Sequence, residues 1–184
     1  MKIFYRILSA FVIIWLLPCF YACSEDHEPK MQHQVADLKQ RNEKLEDLNR
    51  NLILQERKAI DEYIENSGFD FERTGTGLCY RIVNQGDGEL IKTGDIVSME
   101  YEMSLLNGNE LYNSNTTGPK VFLVGRGGVE SGLEEAVLKL HNGDEAEIII
   151  PSRLAYGLTG DGDKIPSNAT IVYKVKIIDN QINN

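Results

Sequence analysis

From about Gly75 onward, the chain alternates between apolar and polar residues. The clearest stretch is 97–105, where odd positions are apolar or aromatic and even positions are polar. This period of two is the pattern of a half-buried antiparallel strand, and Asn107-Gly108 then supplies a tight-turn signal. The same pattern predicts further strands at Leu78–Asn84, Lys120–Val124, Glu145–Ile150 and Thr170–Ile178.

One short helix is predicted among these strands. Ser131 is expected to cap it, and His141-Asn142-Gly143 is expected to close it. Its apolar face would consist of Leu133, Ala136, Val137 and Leu140. A single short helix among antiparallel strands buries its face only if the sheet wraps around it. The predicted fold class is therefore α+β, an antiparallel β-sheet wrapped around one short α-helix, over residues 73–180.

A second helical pattern precedes this domain, at residues 35–66. Leu38, Leu45 and Leu52 recur every seven residues, which favours a coiled-coil seam. Asn42 and Asn49 occupy the companion positions and weaken that seam. The segment can therefore be a homodimerisation arm, a spacer that holds the domain off a membrane, or an amphipathic helix packed against its own domain.

Residues 1–22 have the composition of a secretory signal. Lys2 and Arg6 precede an apolar run that ends near Leu17, and no acidic residue occurs before Glu25. The run is shorter than the roughly 20 apolar residues that cross a bilayer, so a transmembrane helix is the weaker interpretation.

Ala22-Cys23 resembles a loose bacterial lipobox, which predicts cleavage before Cys23 and its acylation. Attachment through acyl chains would place the protein in the cell envelope, lipid-anchored at the outer membrane, on its periplasmic or surface-exposed side. An ordinary secretory signal is the alternative. Residues 23–34 are acidic and polar, which predicts a tether. Their acidic part resembles the export signals of some Gram-negative lipoproteins; the alternative interpretation is a solvated linker with no signal function.

The charge balance limits the partners. The formal net charge is −9, and loss of Lys2 and Arg6 with the signal would make it −11. Such an acidic chain is not expected to bind nucleic acid or to adhere electrostatically to anionic lipid. Cys79 would then have no partner cysteine for an intrachain disulfide, and its strand-like surroundings predict a small buried hydrophobe.

The sequence offers no conventional reactive site. Its three histidines, His27, His33 and His141, are not arranged with cysteines at metal-ligand spacing. Gly125-Arg126-Gly127-Gly128 lacks the strand–helix frame of a nucleotide site. We therefore expect no cofactor and no metal, and neither a hydrolase nor a metalloenzyme is favoured.

An ordered series of short stretches resembles the FKBP-type peptidyl-prolyl cis-trans isomerases. Gly86-Asp87-Gly88 corresponds to the first turn, and residues 129–136 to the entry of the central helix. Ile148-Ile149-Ile150-Pro151 and Leu154-Ala155-Tyr156-Gly157 resemble the next strand and its Ala-Tyr-Gly turn, and residues 165–173 the last loop and strand. The resemblance implies an FKBP-like fold whose partners are proline-containing polypeptide segments.

The resemblance also implies a shallow apolar pocket above the helix, with the backbone N–H of Glu130 at its rim. The residues expected at this site are Tyr101, Leu111, Tyr112, Phe122, Val129, Glu130, Leu133, Tyr156, Ile165 and Tyr173. The family usually has a Phe-Asp pair where this chain has Leu111-Tyr112, an apolar residue where it has Glu130, and often a tryptophan at Leu133. These departures imply lower activity, weaker macrolide binding and a charge near the rim.

The chemistry implied needs no covalent step. Rotation about an X–Pro bond meets a barrier of about 18–20 kcal/mol, and a dry pocket can bind the twisted amide better than the planar one. The first hypothesis is an isomerase that assists the folding of envelope or exported proteins. The alternatives are a peptide-binding module with the same fold, and a structural envelope lipoprotein that acts through its helical arm.

Overall fold

The computed structural model describes residues 28–182, which contain a long helix followed by a wrapped antiparallel sheet. The helices are α1 (Glu28–Ser67), α2 (Ser114–Thr117) and α3 (Ser131–Val137), and a 3-10 helix covers Ser152–Leu154. The strands are β1 (Glu72–Arg73), β2 (Cys79–Asn84), β3 (Asp95–Leu105), β4 (Glu110–Asn113), β5 (Lys120–Leu123), β6 (Glu145–Ile150) and β7 (Ile171–Ile182). The predicted signal segment and Cys23 lie outside the described residues.

The sheet order is β1-β2-β6-β7-β3-β4, with β5 also paired to β3, and every pairing is antiparallel. The longest ladder joins β3 to β7, from Asp95 opposite Ile182 to Leu105 opposite Ile171. This ladder extends β7 beyond the predicted strand end at Ile178. The predicted fold class is confirmed.

Helix α3 fills the concave side of the sheet. Leu133, Ala136 and Val137 are buried in the same core as Ile148 and Ile150. Gly132 allows this approach, because a Cβ atom there would lie 2.3 Å from the Ile150 Cγ2. The helix is therefore pressed directly onto β6.

Two predictions about α3 were wrong in detail. Ser131 is the first helical residue and does not cap the helix; its hydroxyl instead donates to the Leu154 carbonyl oxygen at 3.3 Å. The helix ends at Val137, although Leu140 just beyond it is buried as its apolar character predicts. Burial of the apolar face thus continues through an irregular turn.

The chain divides into two compact units, residues 1–50 and residues 51–184. In the first unit, α1 begins at Glu28, inside the segment predicted as a tether, and Val35, Leu38, Leu45 and Leu48 are exposed. Among the residues that the structure describes, no helix is long and apolar enough to span a membrane.

In the second unit, the C-terminal part of α1 packs against the sheet. Ile60 is buried with Cys79, Ile149 and Val172. The Glu56 Oε1 accepts hydrogen bonds from the Ser152 backbone N–H at 2.6 Å and from the Thr170 hydroxyl at 2.8 Å. This part of the helix therefore packs on the domain that follows it. Cys79 is a free, buried thiol, as expected, and burial raises its pKa.

Candidate functional site

The apolar and aromatic residues expected at the site all belong to the core of the domain or pack against it. We call this group the aromatic cluster; it consists of Tyr101, Leu111, Tyr112, Phe122, Val129, Leu133, Tyr156, Ile165 and Tyr173, all packed in one hydrophobic core. Leu111, Phe122, Leu133, Ile165 and Tyr173 are buried, whereas Tyr101, Tyr112, Val129 and Tyr156 are half-buried. The buried members form a floor, and the half-buried members are the ones a ligand can reach.

Strand pairing positions the two tyrosines at the centre. Tyr173 on β7 lies opposite Met103 on β3. Tyr101, two residues before Met103 on β3, lies opposite Val175 on β7. Their ring centroids are 5.9 Å apart with an interplanar angle of 56°. Such a tilted pair is a favourable aromatic arrangement.

Glu130 contributes a buried carboxylate to this cluster. Its side chain is only 6% exposed. The Glu130 Oε1 accepts hydrogen bonds from the Tyr173 hydroxyl at 2.9 Å and from the Tyr156 hydroxyl. The expectation of a charge at the rim was therefore wrong: the carboxylate turns inward, where hydroxyl donors compensate for its loss of water.

Lys120 completes this group and was not among the residues expected at the site. Its ammonium Nζ lies 3.5 Å from the Glu130 Oε2 and donates to the Tyr173 hydroxyl oxygen at 3.2 Å. It also lies 5.4 Å from the Tyr101 ring centroid and 5.5 Å from that of Tyr173. The two-residue period of a strand could have identified Lys120, because it lies on the same face of β5 as Phe122, which was expected at the site.

The charges of this group follow from its contacts. Burial alone would raise the pKa of Glu130, but the Lys120 ammonium and the hydroxyls of Tyr156 and Tyr173 outweigh it and hold the pKa below its ordinary value. Burial and the nearby carboxylate raise the pKa of both tyrosines. At neutral pH Glu130 is therefore a carboxylate, and Tyr156 and Tyr173 are protonated phenols.

The backbone N–H of Glu130, which the resemblance places at the rim, is a minor cause of the lowered pKa of its own carboxylate. The Oε2 of the same carboxylate is buried and, apart from the ion pair with Lys120, accepts no hydrogen bond. The polar groups of the site are thus directed at Glu130.

Tyr112 secures the loop that follows Tyr156. Its hydroxyl donates to the Asp161 Oδ2 at 2.5 Å and to the Asp163 Oδ2 at 3.2 Å, and the first of these bonds raises its pKa to about 12. Lys164 donates to the Leu111 carbonyl oxygen at 2.9 Å. In addition, Asp161 accepts from the backbone N–H of Ile165 at 2.8 Å. A polar group at Tyr112 is therefore retained, and it fixes the loop that carries Ile165.

Asp161 was also missed by the sequence reasoning. Its Oδ1 accepts backbone N–H groups two and four residues further on, a local pattern typical of aspartate in turns. Among the described residues, no group of three or more histidine, cysteine or acidic side chains could hold a metal ion.

Comparison with known proteins agrees with this architecture. The family model of the FKBP-type peptidyl-prolyl cis-trans isomerases matches residues 88–178. The FKBP-type isomerase FkpA of Escherichia coli K12 is 37% identical over 107 residues, which cover 58% of this chain and 38% of that protein. FK506-binding protein 2 of Dictyostelium discoideum is 39% identical over 88 residues, which cover 47% of this chain and 66% of that protein.

A solved structure extends the likeness. The crystal structure of FkpA from Escherichia coli aligns with a TM-score of 0.62 at 26% identity, covering 95% of this chain and 82% of that one. In sequence, however, this chain matches well under half of the Escherichia coli relative's length.

Proposed function

Because residues 88–178 form an FKBP-type peptidyl-prolyl cis-trans isomerase domain, we propose that the chain isomerises X–Pro bonds in polypeptide segments. The observation that carries this proposal is the packing of the aromatic cluster in one core, with Tyr156 and Tyr173 joined through Glu130 at the start of α3. We propose further that its clients are envelope or exported proteins during folding.

The proposed mechanism uses binding alone. The apolar floor of the aromatic cluster would take the proline ring and exclude water from the neighbouring amide. A twisted amide has lost resonance and charge separation, so an apolar surface stabilises it relative to the planar ground state. No nucleophile or cofactor takes part, and no proton needs to be transferred.

The direct test is the cis-to-trans isomerisation of a short X–Pro peptide by the full chain in mild detergent. The uncatalysed reaction takes tens of seconds or more, so acceleration by catalytic amounts of protein is readily measured. A folded chain that leaves the rate unchanged contradicts the proposal. The substitution that assigns the activity to the aromatic cluster is Tyr156→Ala, which is treated in the Discussion.

A second function is favoured by one observation. Two of the four phenolic hydroxyls of the cluster, those of Tyr156 and Tyr173, are bonded to Glu130, so they are occupied in the unliganded protein. A module that holds proline-containing segments without turning them over needs apolar contact but no free donor. Peptide binding without acceleration of isomerisation would support this alternative.

We propose that the chain is anchored in the outer membrane through lipid on Cys23. The sequence feature that supports this proposal is Ala22-Cys23, at the end of the signal-like segment. In a Gram-negative host, Cys23→Ser in the full chain is expected to move the protein from the membrane fraction to the soluble fraction and to remove the acyl mass. Cys19→Ser is the matched control; the proposal is wrong if only that variant is released.

We also propose that α1 joins two copies of the chain. Val35, Leu38 and Leu45 are exposed apolar side chains at coiled-coil spacing. The full chain is expected to sediment as a dimer, and the double substitution Leu38→Glu/Leu45→Glu is expected to make it monomeric. Lys44→Glu, on the polar face, should leave the dimer intact. A monomeric unmodified chain contradicts this proposal.

A further inference from the structure

We propose that Lys120 determines which proline-containing segments the site prefers, and that it selects those with an acidic side chain beside the proline. This inference rests on the proposed function, because it assumes that such segments bind at the aromatic cluster. It assigns this role to the Lys120 ammonium, whose three N–H donors exceed its two contacts, with the Tyr173 hydroxyl and the Glu130 carboxylate.

The hydroxyls of Tyr156 and Tyr173 are already committed. Both donate to the same oxygen, the Glu130 Oε1. The raised pKa of each tyrosine agrees with hydrogen bonds to a charged acceptor. A ligand that needs a donor from any of these groups must first break a bond to a buried carboxylate, which is costly.

Lys120 is different because its own bonds are long and its charge is accessible. An ammonium has three donor hydrogens, and typical charge-assisted N–H···O distances are about 2.7–2.9 Å. Here the Nζ lies 3.2 Å from the Tyr173 hydroxyl and 3.5 Å from the Glu130 carboxylate. The Lys120 side chain is 22% exposed, against 6% for Glu130. Lys120 is therefore the more accessible member of the pair.

The position of the ammonium makes this charge relevant to a ligand. It lies against the rings of Tyr101 and Tyr173, in the wall of the aromatic cluster. The nearby Asp161 is occupied by Tyr112 and by backbone N–H groups. A carboxylate on the bound segment would thus find an attractive charge at short range, and a lysine or arginine there would be repelled.

The test compares two peptides that differ only in charge, one with Glu and one with Gln beside the proline. For the full chain in mild detergent, kcat/KM is expected to be about three- to tenfold higher for the Glu peptide, and the advantage should shrink as salt is added. In the double variant Lys120→Met/Glu130→Gln, the ratio is expected to fall to about one. This variant removes both charges and keeps a hydrogen-bond acceptor for the two tyrosines.

Lys139→Met removes an exposed lysine on the turn after α3 and should leave the Glu/Gln ratio unchanged. The inference is overturned if the unmodified chain does not favour the Glu peptide, or if the double variant keeps the preference. Kd values for the same peptides are measured in parallel. If neither peptide is turned over, the proposed isomerase function fails, and the ratio of Kd values still decides the role of Lys120.

Discussion

Tyr156→Ala is expected to lower kcat/KM for an X–Pro peptide by about 100-fold, whereas Tyr156→Phe should lower it by less than about fivefold. The ring of Tyr156 is a half-buried wall of the aromatic cluster, so its loss removes apolar contact with the proline. Its hydroxyl is bonded to Glu130, so removal of the oxygen alone takes no donor from the substrate. The measurement is peptide isomerisation by the full chain, with circular dichroism to verify folding.

Tyr80→Ala is the matched control for this substitution. Tyr80 is also half-buried and also donates to a glutamate, Glu72, at 2.6 Å, but it lies on β2 and outside the aromatic cluster. Its replacement should leave kcat/KM within about twofold of the unmodified value. If Tyr156→Phe is as damaging as Tyr156→Ala, the hydroxyl contacts the substrate directly, and its bond to Glu130 is broken when the segment binds.

The fold could be predicted from the sequence because its core obeys simple periodicities. Alternation over 97–105 identified most of β3, and the bounds predicted for β6, Glu145–Ile150, are those of the structure. An apolar run such as Ile148-Ile149-Ile150 has few alternatives to a buried strand. The ends of β7 and α3 were less predictable, because pairing with β3 and packing on β6 decide them.

The polar part of the site could not be predicted in the same way. Glu130 pairs with Lys120 across ten positions, and Tyr112 reaches Asp161 across 49. Neither pairing produces a periodic pattern in the sequence, and a charged residue is expected to face water unless its partner is known. The sequence therefore indicated that Glu130 departs from the family, but not that its carboxylate is buried.

Glu130→Ala is expected to lower the free energy of unfolding by about 3 kcal/mol, since breaking a buried ion pair leaves its partners uncompensated. The hydroxyls of Tyr156 and Tyr173 would lose their acceptor, and the Lys120 ammonium would lose its counter-charge. The double variant Lys120→Met/Glu130→Leu should recover only the part of this loss that comes from the unpaired ammonium, because the two hydroxyls still lack their acceptor. Urea unfolding of the full chain and the variants measures the difference.

The pH dependence separates the charge of Glu130 from its packing. Its pKa in the folded protein is below the ordinary value of 4.5, so its contribution to stability is present above that value and is lost as the pH falls through the lowered pKa. The stability advantage of the unmodified chain over Glu130→Gln should therefore be largest near neutral pH and disappear in acid. Glu145→Gln, which alters an exposed pair with Lys176, should have a much smaller effect at neutral pH. An advantage that persists in acid would mean that Glu130 stabilises the cluster by packing, and the ion pair with Lys120 would not be its cause.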